Sequence, residues 1–335
     1  MQITEKDIQG IHFGGEHKGT TIHKVHKYWL ESISSRKSIP FIPKKIVFLR
    51  DWGPAVNQVV SLICSPFVPR AKLYILTGMG CAPSIFFKNK KSKIILINSD
   101  TFFRNYPNYS LLAKKWASCL LKRVDGIIST SKMMQELAQK HVTCPCEVVY
   151  PFCDVARFIN VKSNLNSPNI CTIGMNLHAK GTDILIKAFE IYQKTYPDAK
   201  LYICGDHIYK KKIKNKDVIV LGICDPAPVL SKCGVYINSS RHESFGVNII
   251  EAMCAGIPPV VTEFCGAKEF VEKIDPKLIC PLNPQKIAKS AIEYFQNPNK
   301  YELGKKAKNI ASKLTKKSSI RNFQKAFIKL IKENS

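Results

Sequence analysis

The chain has 335 residues, of which 45% are hydrophobic and 23% charged; that composition fills about two globular domains and excludes disorder, collagen and low complexity. Lysine and arginine number 51 against 25 acidic residues, a net charge of +26 shared evenly as +13 over residues 1–150 and +13 over 151–335. Because 43 of the 51 are lysine, the coat lacks the rigid arginine fork of base and phosphate readers. No nucleic-acid partner is expected; a diffuse lysine field suits an anionic membrane surface or solubility.

From the N-terminus onward, apolar runs of strand length alternate with stretches of helical period. MQITEKDIQG holds no signal-peptide core, and the longest apolar runs, such as IVFL (46–49) and IILI (94–97), fall far short of the ~20 residues that span a bilayer. A cytoplasmic chain, at most peripheral on a membrane, is therefore expected. In the first half the strand-like runs are IQGIHF (8–13), KIVFLRD (45–51), KLYILTG (72–78), KIILINSD (93–100), DGIISTS (125–131) and EVVYP (147–151). Residues 152–168 are polar, lack periodicity and end in Pro168, which predicts a domain linker. The second half offers NICTIG (169–174), KLYICGD (200–206), VIVLG (218–222), GVYINSS (234–240) and PPVVTE (258–263). The pattern predicts an α/β protein of two Rossmann-like halves with parallel sheets. Near the C-terminus Phe323, Phe327, Leu330 and Ile331 recur at helical spacing, giving an amphipathic helix that must pack on the body.

Thirteen cysteines stand mostly alone in apolar runs, as do Cys171, Cys204 and Cys254, and read as small buried hydrophobes. Only Cys144 and Cys146 are close, with no second pair at zinc spacing. No metal site is expected.

Three glycine turns lie at carboxyl ends of predicted strands, where open α/β sheets bind ligands. The first holds Gly14 and Gly15. The second, after Gly174, holds Lys180 beside Gly181: a point charge where the backbone can approach a phosphate. It is no Walker loop, since GxxxxGK[ST] is absent. The third runs through Glu243, Ser244, Phe245 and Gly246 into the helix VNIIEAMCAG, which carries Glu251 in its second turn. Its start offers free amides to an anion. The two carboxylates can face one crevice and accept hydrogen bonds from neutral hydroxyls, or they are a loop Glu and a helix Glu in solvent.

This order of features resembles the retaining nucleotide-sugar glycosyltransferases of family 4, weakly over residues 1–125 and firmly over 125–275. ESFGVNIIEAMCAGIPPVV matches that family's Glu-(any)-Phe-Gly-(four)-Glu-Ala-Met pattern, and IGMNLHAKGTDILIKAF is similar to its phosphate-binding loop. The resemblance implies a GT-B fold: an acceptor-side domain over 1–155, a donor domain over 156–305 across a cleft from it, and a helical segment over 306–335. It further implies that Glu251 holds the donor ribose, that Glu243 holds a hydroxyl of the transferred sugar, and that Lys180 neutralises the departing diphosphate. Gly14, Gly15, Gly174, Met175, Ser244, Phe245, Gly246 and Val247 would line the donor, and Asp100 would act beside the reacting sugar. The nucleotide-diphosphate sugar is a co-substrate; no cofactor and no metal is expected, since a lysine and a helix start can replace a metal at a leaving group and no Asp-any-Asp motif occurs.

Departures are specific. Met175 stands where the family has an arginine, Ser99 where it has a histidine, and Cys265-Gly266 where paired glycines are expected. They leave open a second reading, a GT-B-like protein that binds nucleotide sugar or glycan with weak or no turnover. For the acceptor, a glycan, a lipid-linked molecule or a protein, the one pointer is LLAKKWASCLLKR (111–123), in which Trp116 and four leucines alternate with Lys114, Lys115, Lys122 and Arg123. Such a helix can lie on an anionic membrane or pack in a core.

Overall fold

The computed structural model describes residues 3–12, 21–40, 54–174, 178–205 and 213–333. Contacts divide the chain into two units, residues 1–151 with 317–335 and residues 152–316. The sequence placed boundaries after 155 and 305.

Unit 1 holds strands β1 (Ile8–His12), β2 (Ile39–Pro40), β3 (Leu73–Leu76), β4 (Lys93–Asn98), β5 (Gly126–Ser129) and β6 (Cys146–Val148), in the order β2-β1-β3-β4-β5-β6. Every pairing is parallel. β3 and β5 are buried at every position, the signature of a sheet covered on both faces. The predicted strand 45–51 lies outside the described residues, and among the described strands the edge is β2, two residues ending in Pro40, too short to be read from a pattern. Asp100 closes β4: its carboxylate accepts the amides of Phe102 at 2.9 Å and Met79 at 3.3 Å.

The helix Lys316–Glu333 completes unit 1. Phe323, Phe327 and Leu330 are buried as their spacing requires, and Ile331 is half-buried. Phe323 stacks on Trp29 with ring centroids 5.0 Å apart, Trp29 Nε1 donates to Ser319 Oγ at 3.0 Å, and Ser319 donates on to the Tyr150 carbonyl at 2.7 Å. A Cβ at Gly126 would meet Leu330 at 3.2 Å, so the glycine at the start of β5 lets this helix close on the sheet.

Unit 2 holds β7 (Ile170–Ile173), β8 (Leu201–Cys204), β9 (Val218–Gly222), β10 (Val235–Asn238), β11 (Pro259–Thr262) and β12 (Ile279–Cys280), all parallel, in the order β12-β11-β10-β7-β8-β9. Residues 152–168, predicted to be a linker, belong to this unit: Phe152, Cys153, Phe158 and Leu165 are buried in it. Among its polar side chains Asp154, Arg157 and Lys162 are exposed, and the half-buried Ser163 donates to the Ala255 carbonyl at 2.8 Å. Cys171, Cys204 and Cys254 are buried free thiols, as expected. The chain leaves β7 toward β8 and β9 on one side and returns to β10, β11 and β12 on the other. The sheet order therefore reverses between β7 and β10, and a crevice opens at the carboxyl ends of those two strands.

Candidate active site

The loop after β7 carries Lys180 and the loop after β10 carries Glu243. The two side chains form an ion pair, with roughly a quarter and a seventh of their surfaces still in solvent at 26% and 14%. Lys180 lies back over Gly174, where a Cβ would come 3.1 Å from its Cδ and Cε. Gly181 has φ +63, and a Cβ there would stand 2.1 Å from the Ser239 carbonyl oxygen. Only glycine satisfies both constraints. Gly14, Gly15 and Met175, also singled out in the sequence, lie outside the described residues.

Side chains that the sequence did not single out join the two loops. Ser239 Oγ donates to the carbonyls of Lys180 at 2.9 Å and Gly181 at 3.1 Å. Arg241 grips the same loop at three points. Its guanidinium forks onto Asp183 at 2.7 and 2.6 Å, Nη1 donates to the His178 carbonyl at 2.7 Å, and its amide donates to the Ala179 carbonyl at 2.8 Å. Asn248, in the first turn of the helix Val247–Cys254, donates its side-chain amide to the Ile173 carbonyl. The available sequence signal was weak: Arg241 is one of only eight arginines and stands two residues before Glu243.

Gly246 caps that helix at φ +95 and has no side chain to cap it. The Ile249 amide is taken by Asn248 Oδ1 and the Gly246 carbonyl, both at 3.0 Å, and the positive dipole end with the amides before it faces the crevice as a place for an anion. Phe245 turns its ring into the core against Phe270, at 6.0 Å and 84°, so only its backbone and those of the partly exposed Ser244 and Val247 remain at the crevice. The departure at Cys265 has a structural use. Its thiol donates to Asn238 Oδ1 at 3.1 Å, and the loop around it pairs with the Glu243 loop through Gly266 N to Glu243 O at 2.8 Å and Ala267 N to Phe245 O at 2.7 Å.

Glu251 lies on the same helix, and no described residue donates a hydrogen bond to its carboxylate. Burial pushes its pKa up to about 7, Arg157 pulls it down, and Asp154 and Asp225 push it further up. The side chain is half-buried, and carboxyls whose pKa is raised in this way cluster at functional sites. Asp100 is in unit 1, where burial raises its pKa against the amides of Phe102, Met79 and Asp100 itself, which lower it.

Residues 157–314 match the family model described as Glycosyl transferases group 1. The matched segment contains Gly174, Lys180, Glu243 and Glu251. An uncharacterized glycosyltransferase of Haemophilus influenzae is 27% identical over 155 residues, 42% of this chain and 43% of that one. A 3-deoxy-D-manno-octulosonic acid transferase of Aquifex aeolicus is 27% identical over 233 residues, 61% of this chain and 60% of that one. The chain thus spans about half the length of these curated relatives. Among solved structures, Anabaena Alr3699/HepE in complex with UDP and glucose superposes with a TM-score of 0.72 at 17% identity, over 97% of this chain and 99% of that one. A mutant of S. aureus TarM in complex with fondaparinux, α-GlcNAc-glycerol and UDP gives 0.64 at 19%, over 82% and 58%. The fold is GT-B, as the sequence resemblance implied.

Proposed function

We propose that the chain is a retaining, metal-independent glycosyltransferase of family 4, which moves a sugar from a nucleotide-diphosphate donor to a glycan, protein or lipid-linked acceptor. The observation that carries this reading is the Lys180–Glu243 pair at the switch point of the unit 2 sheet, beside an uncapped helix start. Without ligand the two charges hold each other in place. A diphosphate entering the crevice offers Lys180 a second anion, and Glu243 is then released to accept from hydroxyls of the sugar. As the bond from the sugar carbon to the diphosphate oxygen breaks, negative charge gathers on the leaving group. A fixed lysine and helix amides stabilise that charge without reorganising, which is usually the largest catalytic term. Glu251, ionised, accepts from the two ribose hydroxyls.

The backbones of Ser244, Phe245, Gly246 and Val247 line the donor, Gly174 gives Lys180 room to approach it, and Gly14, Gly15 and Met175 are assigned to the same ligand from their motif positions. Asp100 is assigned to the acceptor side, where it fixes the loops after β3 and β4. Relatives that carry glycosyltransferase names and structural neighbours solved with UDP support the donor class. The basic composition of unit 1 supports an acceptor at an anionic membrane surface, with the enzyme peripheral on it.

The test is a thermal-shift panel of nucleotide sugars, since a ligand of the native state raises stability with the logarithm of its concentration over Kd, followed by donor hydrolysis in EDTA. One nucleotide-diphosphate sugar should raise the melting temperature and be turned over with the chelator present. Turnover that stops in EDTA and returns with magnesium or manganese would contradict metal independence.

A further inference from the structure

The helix Leu111–Leu121 does not lie flat on anything with its whole apolar face. Leu120 and Leu121 are buried in the unit 1 core, and Arg123, just beyond it, donates Nη1 to the carbonyls of Ile85 and Phe86 at 3.1 and 2.8 Å. That arginine is a structural tie and no membrane cation. What the helix leaves in solvent is its first turn: Leu111 and Leu112 are each 80% exposed.

Three further segments of unit 1 expose large apolar side chains, and Trp116 ties two of those segments to this helix. Trp116, one turn after Leu112, donates Nε1 to Gln58 Oε1 at 3.1 Å and packs on Phe86 at 5.2 Å. Next to Gln58, the helix Pro54–Ile63 shows Val59 and Ile63, four residues apart on one face and 57% and 66% exposed. Next to Phe86, Phe87 is 68% exposed; Lys88 then donates to the Pro66 carbonyl at 3.4 Å, and Phe67, which follows Pro66, is 81% exposed. Through Trp116 with Gln58 and Phe86, Phe86 with Phe87, and Lys88 with Pro66, the segments that carry Leu112, Val59, Ile63, Phe87 and Phe67 are thus brought together on unit 1.

Its rim is basic. Arg70, Lys90, Lys91 and Lys115 are exposed, and desolvation together with the charge of nearby Arg70 lowers the Lys88 pKa. Residues 54–123 hold eleven lysines and arginines and one acid, Asp100, whose oxygens are taken by backbone amides; of the eleven, Lys72 and Lys93 pair with Asp7 and Asp125. Exposed apolar side chains ringed by one sign of charge mark a binding surface. A bilayer of anionic lipid offers both complements at once, a hydrocarbon layer beneath negative headgroups. No helix among the described residues is long and apolar enough to cross it.

We infer that unit 1 docks on anionic bilayers by inserting Phe67, Phe87, Leu111 and Leu112 between headgroups while Arg70, Lys90, Lys91 and Lys115 engage the lipid phosphates. This deepens the acceptor part of the proposed function, and its test does not use the donor site. The full chain is sedimented with vesicles of equal parts phosphatidylglycerol and phosphatidylcholine, and with phosphatidylcholine alone. Wild type should bind the anionic vesicles at low salt and be released as screening shortens the Debye length. The variant Phe67→Ser, Phe87→Ser, Leu111→Ser, Leu112→Ser should lose about tenfold or more of that binding. A second variant, Lys90→Ser, Lys91→Ser, Lys115→Ser, should lose most of the salt-sensitive part. Unchanged melting temperatures report that both variants fold; if the first melts early, the second alone decides. UDP titration of wild type reads the donor assignment separately. The inference is overturned by equal binding to both vesicle types, by binding to neither, by vesicle binding that survives in a folded variant, or by a wild-type dimer in sedimentation velocity that the apolar variant dissolves.

Discussion

In unit 2 the loops after β7 and β10 are joined by charged side chains, Lys180 to Glu243 and Arg241 to Asp183, whereas in unit 1 the loops after β3 and β4 are joined through backbone amides to the Asp100 carboxylate. Both arrangements fix loops at the carboxyl end of a parallel sheet. They differ in what a ligand can displace. An ion pair can pass its cation to an incoming diphosphate and keep its geometry, because glycines and Arg241 hold the backbone independently. A carboxylate that satisfies two amides cannot be drawn off without leaving donors unpaired. On the proposed function, chemistry belongs with the first kind of loop and scaffolding with the second.

Substitutions sharpen that contrast. The largest effect on stability is expected where unit 1 recovers the C-terminal helix: Phe323→Ala removes the ring stacked on Trp29 and should cost about 3–5 kcal/mol, read by urea denaturation. Lys180→Ala should leave the melting temperature close to wild type, since the pair is partly solvated. It should lower turnover by about 10²–10³, as loss of one leaving-group donor does. Asp100→Ala should do the reverse in kind, lowering stability by about 1–3 kcal/mol through its two orphaned amides. A Lys180→Ala protein with full activity would remove the distinction.

The units also titrate in opposite directions. His26 is buried beside Trp29 and its pKa is lowered to about 3, mainly by desolvation and further by His23 and His12. The unfolded chain binds this proton first, so stability present above about pH 6.5 falls as acid is added, by about 2 kcal/mol at pH 5. Glu251, raised to about 7, behaves inversely. The native protein holds its proton longer, so stability present below about pH 4.5 declines as pH rises through 7, by about 2–3 kcal/mol. Melts from pH 5 to 8 should show Glu251→Gln flattening the neutral slope and His26→Gln flattening the acid one.

Arg241 gives the smallest expected effect. Arg241→Lys keeps the charge and loses the fork on Asp183. It should raise the donor KM by about three- to tenfold with kcat nearly unchanged, because the loop still closes but positions Lys180 less often. An equal fall in kcat would mean that Arg241 touches the reacting groups.

The sequence showed clearly what depends on long apolar runs and on a motif. Ten of the predicted strands correspond to β1, β3 to β6 and β7 to β11, while β2 and β12, two residues each, carry no periodicity to detect. Lys180, Glu243 and Glu251 stood out as candidates from their turns and spacing. The ion pair of the first two was not, since 63 residues separate them and only the adjacency of β7 and β10 brings them together. Arg241 went unseen for the same reason. The helix at 111–121 misled in part: its pattern marks Arg123 as a surface cation, and only the fold reveals the Ile85 and Phe86 carbonyls that occupy it.

Calorimetric titration of UDP at pH 6 and pH 8 into wild type, Lys180→Ala and Glu251→Gln tests the crevice between β7 and β10 most directly. Wild type should bind, and bind more tightly at pH 8, where ionised Glu251 accepts from the ribose. Lys180→Ala should lose about tenfold or more at both pH values, consistent with roughly 1.5–3 kcal/mol for a hydrogen bond to a charged group. Glu251→Gln should bind weakly and keep only the pH dependence of the terminal phosphate of UDP, whose second pKa is about 6. Affinities unchanged by both substitutions would contradict the assignment of this crevice to the donor.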